Sequence, residues 1–246
     1  MGMQIGQWQF RPGAIPTIAT ILILPLLISL GVWQLDRAEQ KRSMYQVFLS
    51  HQKEPPINLN SEHAHRNDKT VMMWRHVNVA GEFVSDVNIL LDNQILNGQA
   101  GYFIYTPFKL LDEDITVLVN RGWVASSGNR ANIPAIDTPV SIVELSAVVK
   151  DVPKTGILLQ EVGVEKVKQG IYRVQKINLD EISQLFGHEL LPYIIRLEPE
   201  SDHGFVRKWE LPGSDEKKHL GYAFQWFALA ITLVIIFIVV NTRKAV

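Results

Sequence analysis

Two long, uncharged, apolar stretches dominate the pattern of the chain, one from 12 to 35 and the other from 220 to 242. Within them, the runs 15–33 and 221–240 hold 19 and 20 residues. A helix rises about 1.5 Å per residue, so about 20 apolar residues cross the roughly 30 Å hydrocarbon core of a bilayer. The pattern therefore predicts two membrane-spanning helices.

The first apolar run contains two prolines. Pro16 suits a first helical turn, whereas Pro25 falls near the middle, where a membrane helix tolerates proline better than a soluble one. A cleaved signal peptide is the main alternative, but its apolar core spans about 7 to 15 residues and ends at small residues in an A-x-A-like pattern. Ser29, Leu30 and Gly31 match that pattern poorly, so we expect a retained span.

The polar centre begins with a helical continuation over 36–50, which Pro55 and Pro56 end, and a loop over 53–70 follows. Alternation of apolar and polar residues then predicts short strands. They cover 77–83, 87–91, 102–110, 116–124, 140–149, 171–174 and 193–197. One helix is predicted from Asn178 at its N-cap to Phe186, with Gly187 after its end.

The expected fold class is α+β, with two transmembrane helices flanking a mostly antiparallel β-sheet or open barrel, and with no internal repeat. The expected boundaries are a tail over 1–14, a span over 15–34, a domain over 35–218, a span over 219–240 and a tail over 241–246. Neither short tail has room for a signalling output domain, so the function is expected in the central domain, the helix pair or their junction.

The count of Lys and Arg near the spans leaves the orientation open. Taken literally, eight such residues on the central side against three on the outer ends would keep the domain in the cytoplasm. That rule applies to loops below about 60 residues, and longer domains are translocated largely regardless of charge. We expect both ends in the cytoplasm and the domain outside.

Composition excludes several classes of function. All 25 acidic residues and 21 of the 24 Lys and Arg lie within 36–218, which therefore carries a net charge of −4 and no basic block for nucleic acid. The absence of cysteine excludes disulfides, thiol nucleophiles, thiolate metal sites and covalent c-type haem attachment.

No catalytic motif is present, so we expect no enzyme, although a serine, histidine and aspartate brought together by folding remain possible in principle. His63 and His65 have a spacing that puts two imidazoles on one face of a strand. They lie in a polar loop without a third ligand in register, which favours a solvated loop over a metal site.

The junction of the second span carries more information. If the helix includes position 219 in its first turn, one stripe holds an imidazole, two aromatics and two small residues: His219, Tyr222, Ala223, Trp226 and Ala230. Such a stripe suits a flat apolar macrocycle, and imidazole is an axial ligand of haem iron. On the first span, Trp33, Arg37 and Lys41 form a stripe at the same depth, where cations can meet carboxylates.

A simpler interpretation explains the same residues. Trp and Tyr collect at membrane interfaces as belts, and Arg and Lys near helix ends extend their charges toward water. From the residues alone, an aromatic belt with ordinary helix packing is favoured over haem ligation.

Several motifs resemble the Surfeit locus protein 1 family, in order along the whole chain. They are Phe10-Arg11-Pro12, the run 30–37 with Lys41, Arg75-His76, Gly81-x-Phe83, Gly98-x-x-Gly101-Tyr102, Pro107-Phe108, the run Val119-Asn120-Arg121-Gly122-Trp123-Val124 and the run from His219 to Phe227. No motif aligns over 150–169, and the loop 50–70 carries none either.

The resemblance implies an accessory factor in the biogenesis of cytochrome c oxidase, which handles or inserts haem a into the catalytic subunit. It implies His219 as the iron ligand, a transient haem a cofactor, and the oxidase catalytic subunit as partner, with the enzymes that supply haem a as possible partners. It also implies a bacterial plasma membrane, with the central domain in the periplasm. The alternative is a membrane-anchored scaffold that binds the oxidase subunit without touching haem.

The run around Arg121 has two interpretations. Arg121 beside Trp123 on a sheet can face haem or the oxidase subunit. Alternatively, Gly122 marks a bulge, Trp123 fills core and Arg121 is ion-paired within the domain, which is the interpretation we favour.

Overall fold

The computed structural model describes residues 3–5, 7–63, 66–129, 131–154 and 163–244. Its helices are α1 (Ala14–Gln52), α2 (Lys69–Met72), α3 (Leu179–Phe186) and α4 (Glu216–Asn241). Its strands are β1 (Met3–Ile5), β2 (Trp8–Phe10), β3 (Ile57–Asn58), β4 (His76–Phe83), β5 (Asn88–Leu96), β6 (Gln99–Leu110), β7 (Thr116–Ala125), β8 (Val143–Lys150), β9 (Glu165–Lys168), β10 (Ile171–Val174), β11 (Leu190–Leu197) and β12 (Thr242–Lys244). The chain forms two compact units, residues 1–47 with 210–246, and residues 48–209.

The first unit is built on α1 and α4, the two helices that are long and apolar enough to cross a membrane. Most of their large apolar side chains are exposed, such as Ile15 at 82 % and Phe224 at 75 %. Such exposure is unfavourable in water and suits a lipid environment. α1 continues through Pro25 to Gln52, which confirms the predicted extension of the helix beyond the apolar run.

A buried amide side chain joins the N-terminal end of α1 to the C-terminal end of α4. Asn241 is 4 % exposed, and its Oδ1 accepts a hydrogen bond of 2.7 Å from the backbone N–H of Gly13. The Nδ2 of Asn241 donates to the carbonyl of Phe237. β12 pairs with β2, which also pairs with β1, in a three-stranded sheet at this end. The sequence pattern did not predict these short terminal strands.

The second unit is a small mixed β-barrel with additional strands. Strands β4, β8, β11, β7 and β6 follow one another, and a further pairing of β4 with β6 closes the ring. Beyond β6, strands β5, β10 and β9 extend the sheet. Among the described residues, six strand pairs of this sheet are antiparallel and three are parallel. The predicted α+β class and β-rich domain are confirmed, and the pairing of β4 with β6 closes the predicted sheet or open barrel into a ring.

The barrel interior is filled by alternate residues of its strands. Val77 and Val79 of β4 are each 1 % exposed, and Val117 and Val119 of β7 are fully buried. They belong to one cluster with Leu145, Ala147, Val149, Leu191, Tyr193, Ile195 and Leu197. The two-residue period that predicted the strands is therefore the period of the core.

Helix α3 covers part of the outer face of the sheet. Ile182 of α3 is 1 % exposed and packs in a cluster with Leu118 and Ile194. The Oδ1 of Asn178 accepts from the N–H groups of the first turn, and Gly187 ends the helix with a φ of +78°. Both predicted caps are thus confirmed.

The run around Arg121 is a bulge with a buried cation. The register between β6 and β7 shifts where Ile104 pairs with Gly122 and Tyr105 pairs with Asn120, which leaves Arg121 as the extra residue. Trp123 is 7 % exposed. The predicted bulge and core tryptophan are found.

Arg121 makes no ion pair within the described part of the chain, so the expected ion pair is wrong. The guanidinium donates to the carbonyls of His203 and Asp137 and to the Oγ1 of Thr138. Burial lowers its pKa to about 10, and the charge of Asp137 opposes that shift. The side chain is only 2 % exposed, so carbonyl oxygens satisfy the guanidinium inside the domain.

Candidate functional site

The start of α4 is fixed by a tight turn against α1. Gly213 has a φ of +77°, and a Cβ there would lie 2.6 Å from the carbonyl oxygen of Lys41. Only glycine fits so close an approach with that backbone conformation. The N–H of His219 donates to the carbonyl of Asp215 at 3.2 Å, which places His219 in the first turn of the helix, as predicted. A hydrogen bond from Lys218 holds the pKa of the Asp215 carboxyl below its ordinary value.

The central contact of the site joins the two helices. The Nδ1 of His219 lies 2.7 Å from the Oε1 of Gln34, and Gln34 is only 9 % exposed. With Oε1 of Gln34 as the acceptor, this contact is a hydrogen bond donated by the imidazole tautomer that carries its proton on Nδ1. In a neutral imidazole, that tautomer has its lone pair on Nε2, and Nε2 of His219 has no hydrogen-bond partner among the described residues. A lone pair placed in this way can serve as a metal ligand.

Small residues near this contact let the two helices approach each other closely. A Cβ on Gly31 would lie 2.7 Å from two ring atoms of Phe227. Ala38 of α1 and Ala223 and Ala230 of α4 are 3 %, 2 % and 5 % exposed. Close packing of small residues is a common means of helix association in a membrane. It holds Gln34 and His219 at hydrogen-bond distance.

Two cations follow Gln34 along the same side of α1. Arg37 and Lys41 lie three and seven residues further on, which corresponds to rises of about 4.5 and 10.5 Å. Both side chains are half-buried, and the Nη1 of Arg37 donates to the Oε1 of Gln40 at 2.7 Å. These positive charges therefore lie toward the polar end of α1 relative to the imidazole.

An ion pair also links the two helices near this end. The Nη2 of Arg42 lies 2.9 Å from the Oε1 of Glu216, three residues before His219. Both side chains are partly exposed, so the pair contributes little to stability. It adds a second point at which α1 holds the first turn of α4.

The predicted aromatic residues are less enclosed than the imidazole. Tyr222 and Trp33 are 52 % and 53 % exposed, and Trp226 is half-buried. No ring contact joins these three aromatics to one another within the part of the chain that the structure describes. The stripe of α4 therefore divides into buried alanines at the helix interface and an open aromatic surface beside His219. The assignment of Trp33, Tyr222 and Trp226 to a ligand stays a prediction.

Gln34 is the site residue that the sequence pattern did not single out. It is the one amide side chain in the uncharged stretch from 12 to 35. It also follows Gly31 by three residues and precedes Ala38 by four, which is the spacing of a helix-packing face. An amide side chain on a helix-packing face of an apolar run was therefore the feature of the sequence that could have identified Gln34.

A single imidazole with a fixed tautomer fits haem, because the macrocycle itself supplies four ligands to its iron. Among the described residues no group of three or more His, Asp and Glu side chains converges as a metal-ion site. In the histidine pair at positions 63 and 65, His63 is exposed and its Nδ1 lies 3.8 Å from the Oε1 of Glu113. Its partner His65 lies outside the described residues.

Known proteins match this chain along most of its length. The model of the SURF1 family matches residues 21–231. A SURF1-like protein of Rickettsia conorii is 30 % identical over 224 residues, covering 89 % of this chain and 88 % of its own. A SURF1-like protein of Mycobacterium tuberculosis is 26 % identical over 226 residues, covering 90 % and 80 %. One from Drosophila melanogaster is 29 % identical over 146 residues, covering 53 % and 48 %.

The family match includes the greater part of both apolar helices and all of the barrel strands. It also includes both members of the central contact, Gln34 and His219. The matched range, the two helices that frame a β-rich unit and the similarity to bacterial relatives agree with the resemblance carried by the motifs. The chain belongs to the SURF1 family.

Proposed function

We propose that this protein is an accessory factor in cytochrome c oxidase biogenesis that binds haem a transiently through His219. The observation that carries the proposal is the hydrogen bond between Gln34 and His219. It leaves the imidazole Nε2 of His219 available in the first turn of the second apolar helix. Family membership supports the oxidase context.

Each residue of the site has a distinct part in the proposal. Gln34 holds the imidazole in one tautomer and orientation, as the outer partners of metal-bound histidines do. Arg37 offers a cation to carboxylates of the ligand, and Tyr222 and Trp226 offer an aromatic surface to an apolar ring. Haem a would supply the iron that an imidazole nitrogen ligates.

The proposal includes a topology and partners. Both short ends lie in the cytoplasm, and residues 35–218 lie in the periplasm of a bacterial plasma membrane. The catalytic subunit of the oxidase receives the haem, and the enzymes that supply haem a are possible further partners. No catalytic step is assigned to the chain and no nucleic acid is bound.

The test is the absorption spectrum of the full chain purified in mild detergent from cells that make haem a. Wild-type protein should carry haem a, and His219→Ala should lose the haem or shift its spectrum. Arg37→Ala should retain less haem with an unshifted spectrum, because a cation near a carboxylate does not touch the iron.

Membrane insertion should be unchanged in both variants, since the apolar run 221–240 is intact. An unaltered spectrum and haem content in His219→Ala would reject ligation by this residue. Wild-type protein that restores oxidase assembly without ever carrying haem would favour the scaffold function.

A further inference from the structure

A row of five aligned residues crosses the outer face of the barrel. The strand registers place side by side one residue from each of β4, β8, β11, β7 and β6: His76, Val148, Arg196, Asn120 and Tyr105. Their sequence neighbours fill the interior, so these side chains point outward. Four of the five are polar.

Two cations lie together on this outer face. Lys150 follows Val148 by two residues and so shares its face, diagonally from Arg196 on the neighbouring strand. The Nζ of Lys150 lies 3.0 Å from the ring centre of Trp74. The Cζ of Arg196 lies 4.6 Å from the ring centre of Trp209. Each of the two charges therefore lies against the face of an indole ring.

Neither cation has an anionic partner among the described residues. The Nε of Arg196 is buried and makes no hydrogen bond. The nearby carboxylates are engaged elsewhere, since Asp151 pairs with Lys69 at 2.5 Å and Glu198 contacts His76 at 2.5 Å. Each indole offers its face to a cation but no acceptor for its N–H groups.

Such an arrangement is unfavourable in a protein that has nothing else to bind. Two like charges repel each other, and buried polar atoms without partners are rare in folded proteins and call for an explanation such as a bound ion. Burial and the charge of Arg196 lower the pKa of Lys150 to about 7. Burial lowers the pKa of Arg196 to about 10. Burial is the main cause of both shifts, because it disfavours the charged form of each side chain.

The position of Trp74 is held at a cost. Its φ is +66°, a left-handed conformation that is strained for a bulky residue. The backbone N–H of Trp74 donates to the carbonyl of Val149 at 3.0 Å. The indole ring contacts the ring of Phe48 edge-on, with 5.6 Å between the ring centres. Strain of this kind clusters at binding sites, where the surroundings fix a residue in one orientation.

We propose that Lys150 and Arg196 form a binding site for an oxyanion group, a carboxylate or phosphate, beside Trp74 and Trp209. The guanidinium supplies a planar pair of donors that matches two oxygens, and the ammonium adds a point charge. The indole rings supply apolar walls for the body that carries the anion. The site belongs to residues 48–209 and does not use His219.

Two sources can present this chemistry. One is a soluble anion, and the other is the headgroup of an acidic lipid. Trp209 precedes α4 by seven residues, and Phe48, which contacts Trp74, lies in the last two turns of α1. Because both walls involve the segments that continue into the apolar helices, lipid is tested beside the soluble anion.

The test measures thermal unfolding of the full chain, with two probes. Inorganic phosphate is compared with chloride at matched ionic strength in neutral detergent, and phosphatidylglycerol is compared with phosphatidylcholine in nanodiscs. The wild-type protein should gain a saturable rise in Tm with phosphate, with phosphatidylglycerol or with both. Lys150→Met and Arg196→Met should weaken that response at least tenfold in ligand concentration.

Lys168→Met removes a charge from an exposed position on β9 and serves as the matched control, which should respond as the wild type does. Arg196→Lys keeps the charge without the planar pair of donors and should respond weakly. It serves in place of Arg196→Met if that variant does not fold.

A response to phosphate assigns a soluble anion, and a response to phosphatidylglycerol alone assigns a lipid headgroup. The proposal is overturned if neither probe stabilises the wild type, or if Lys150→Met responds as strongly as Lys168→Met.

Discussion

Replacing Lys150 with methionine should stabilise the protein at neutral pH, although it removes a contact with Trp74. Methionine has a similar length and can pack its sulfur against the same ring, so the lost cation–π contact of about 0.5–1 kcal/mol is largely replaced. What the substitution removes is a partly buried charge beside Arg196 that has no counter-ion in the described structure.

The magnitude follows from the pKa of Lys150. A fall from 10.5 to about 7 on folding corresponds to at most about 4.8 kcal/mol. Solvent reaches part of the side chain and screens the charge, so we expect an effect of about 2 kcal/mol. Because the folded pKa is lowered, the destabilisation is complete below about pH 7 and disappears as the pH rises to about 10.5. Besides Arg196, Asp151 and the His76–Glu198 pair lie near this face, and both remain in the variant.

The measurement is denaturant unfolding of the full chain in neutral detergent, followed by near-ultraviolet circular dichroism. Wild-type protein and Lys150→Met are compared at pH 6, 7.5, 9 and 10.5 without added oxyanions. The stability difference should favour the variant at pH 6 and shrink toward zero at the highest pH. A variant that is less stable at every pH, or a difference that does not change with pH, would refute the reasoning.

Three further predictions concern other parts of the molecule. Trp123→Ala should cost about 3–5 kcal/mol and lower the yield of folded protein, while haem per folded molecule stays unchanged; normal folding with lost partner binding would contradict this. Gln34→Leu should weaken haem retention about 10- to 100-fold in competition with apomyoglobin, since the imidazole loses its orienting partner, and unchanged retention would remove Gln34 from the site. A reporter enzyme that is active only outside the cytoplasm should work when fused after Asn129 and be silent after Val246, and the reverse pattern would invert the topology.

Local patterns in the sequence were sufficient for the long helices and the main strands of the fold. The uncharged runs predicted α1 and α4, and two-residue alternation predicted the main barrel strands, because each pattern reflects one face of an element and its burial. Asn178 and Gly187 marked the ends of α3 through caps that depend on neighbouring residues only. Strands β3 and β9 were missed, since one has two residues and the other is mostly charged.

Contacts between distant segments were not predictable in the same way. β11 lies parallel to β7 and antiparallel to β8, an order set by the return of the chain through α3 rather than by any local signal. The closing pair of β4 and β6 is equally non-local. At the site, His219 and its helical turn were predicted, but its partner is 185 residues away in the sequence. Predicting Gln34 as that partner would have required knowing which faces of α1 and α4 meet.

Replacing the side chain of His219 with imidazole added from solution tests most directly the central claim that His219 ligates haem a. His219→Gly removes the imidazole and leaves space for imidazole added from solution. If Nε2 of His219 ligates haem a, the variant should lose the wild-type absorption spectrum and regain it on addition of millimolar imidazole. The matched control, His63→Gly in the exposed loop, should keep the wild-type spectrum throughout. A wild-type spectrum in His219→Gly without added imidazole would contradict the account.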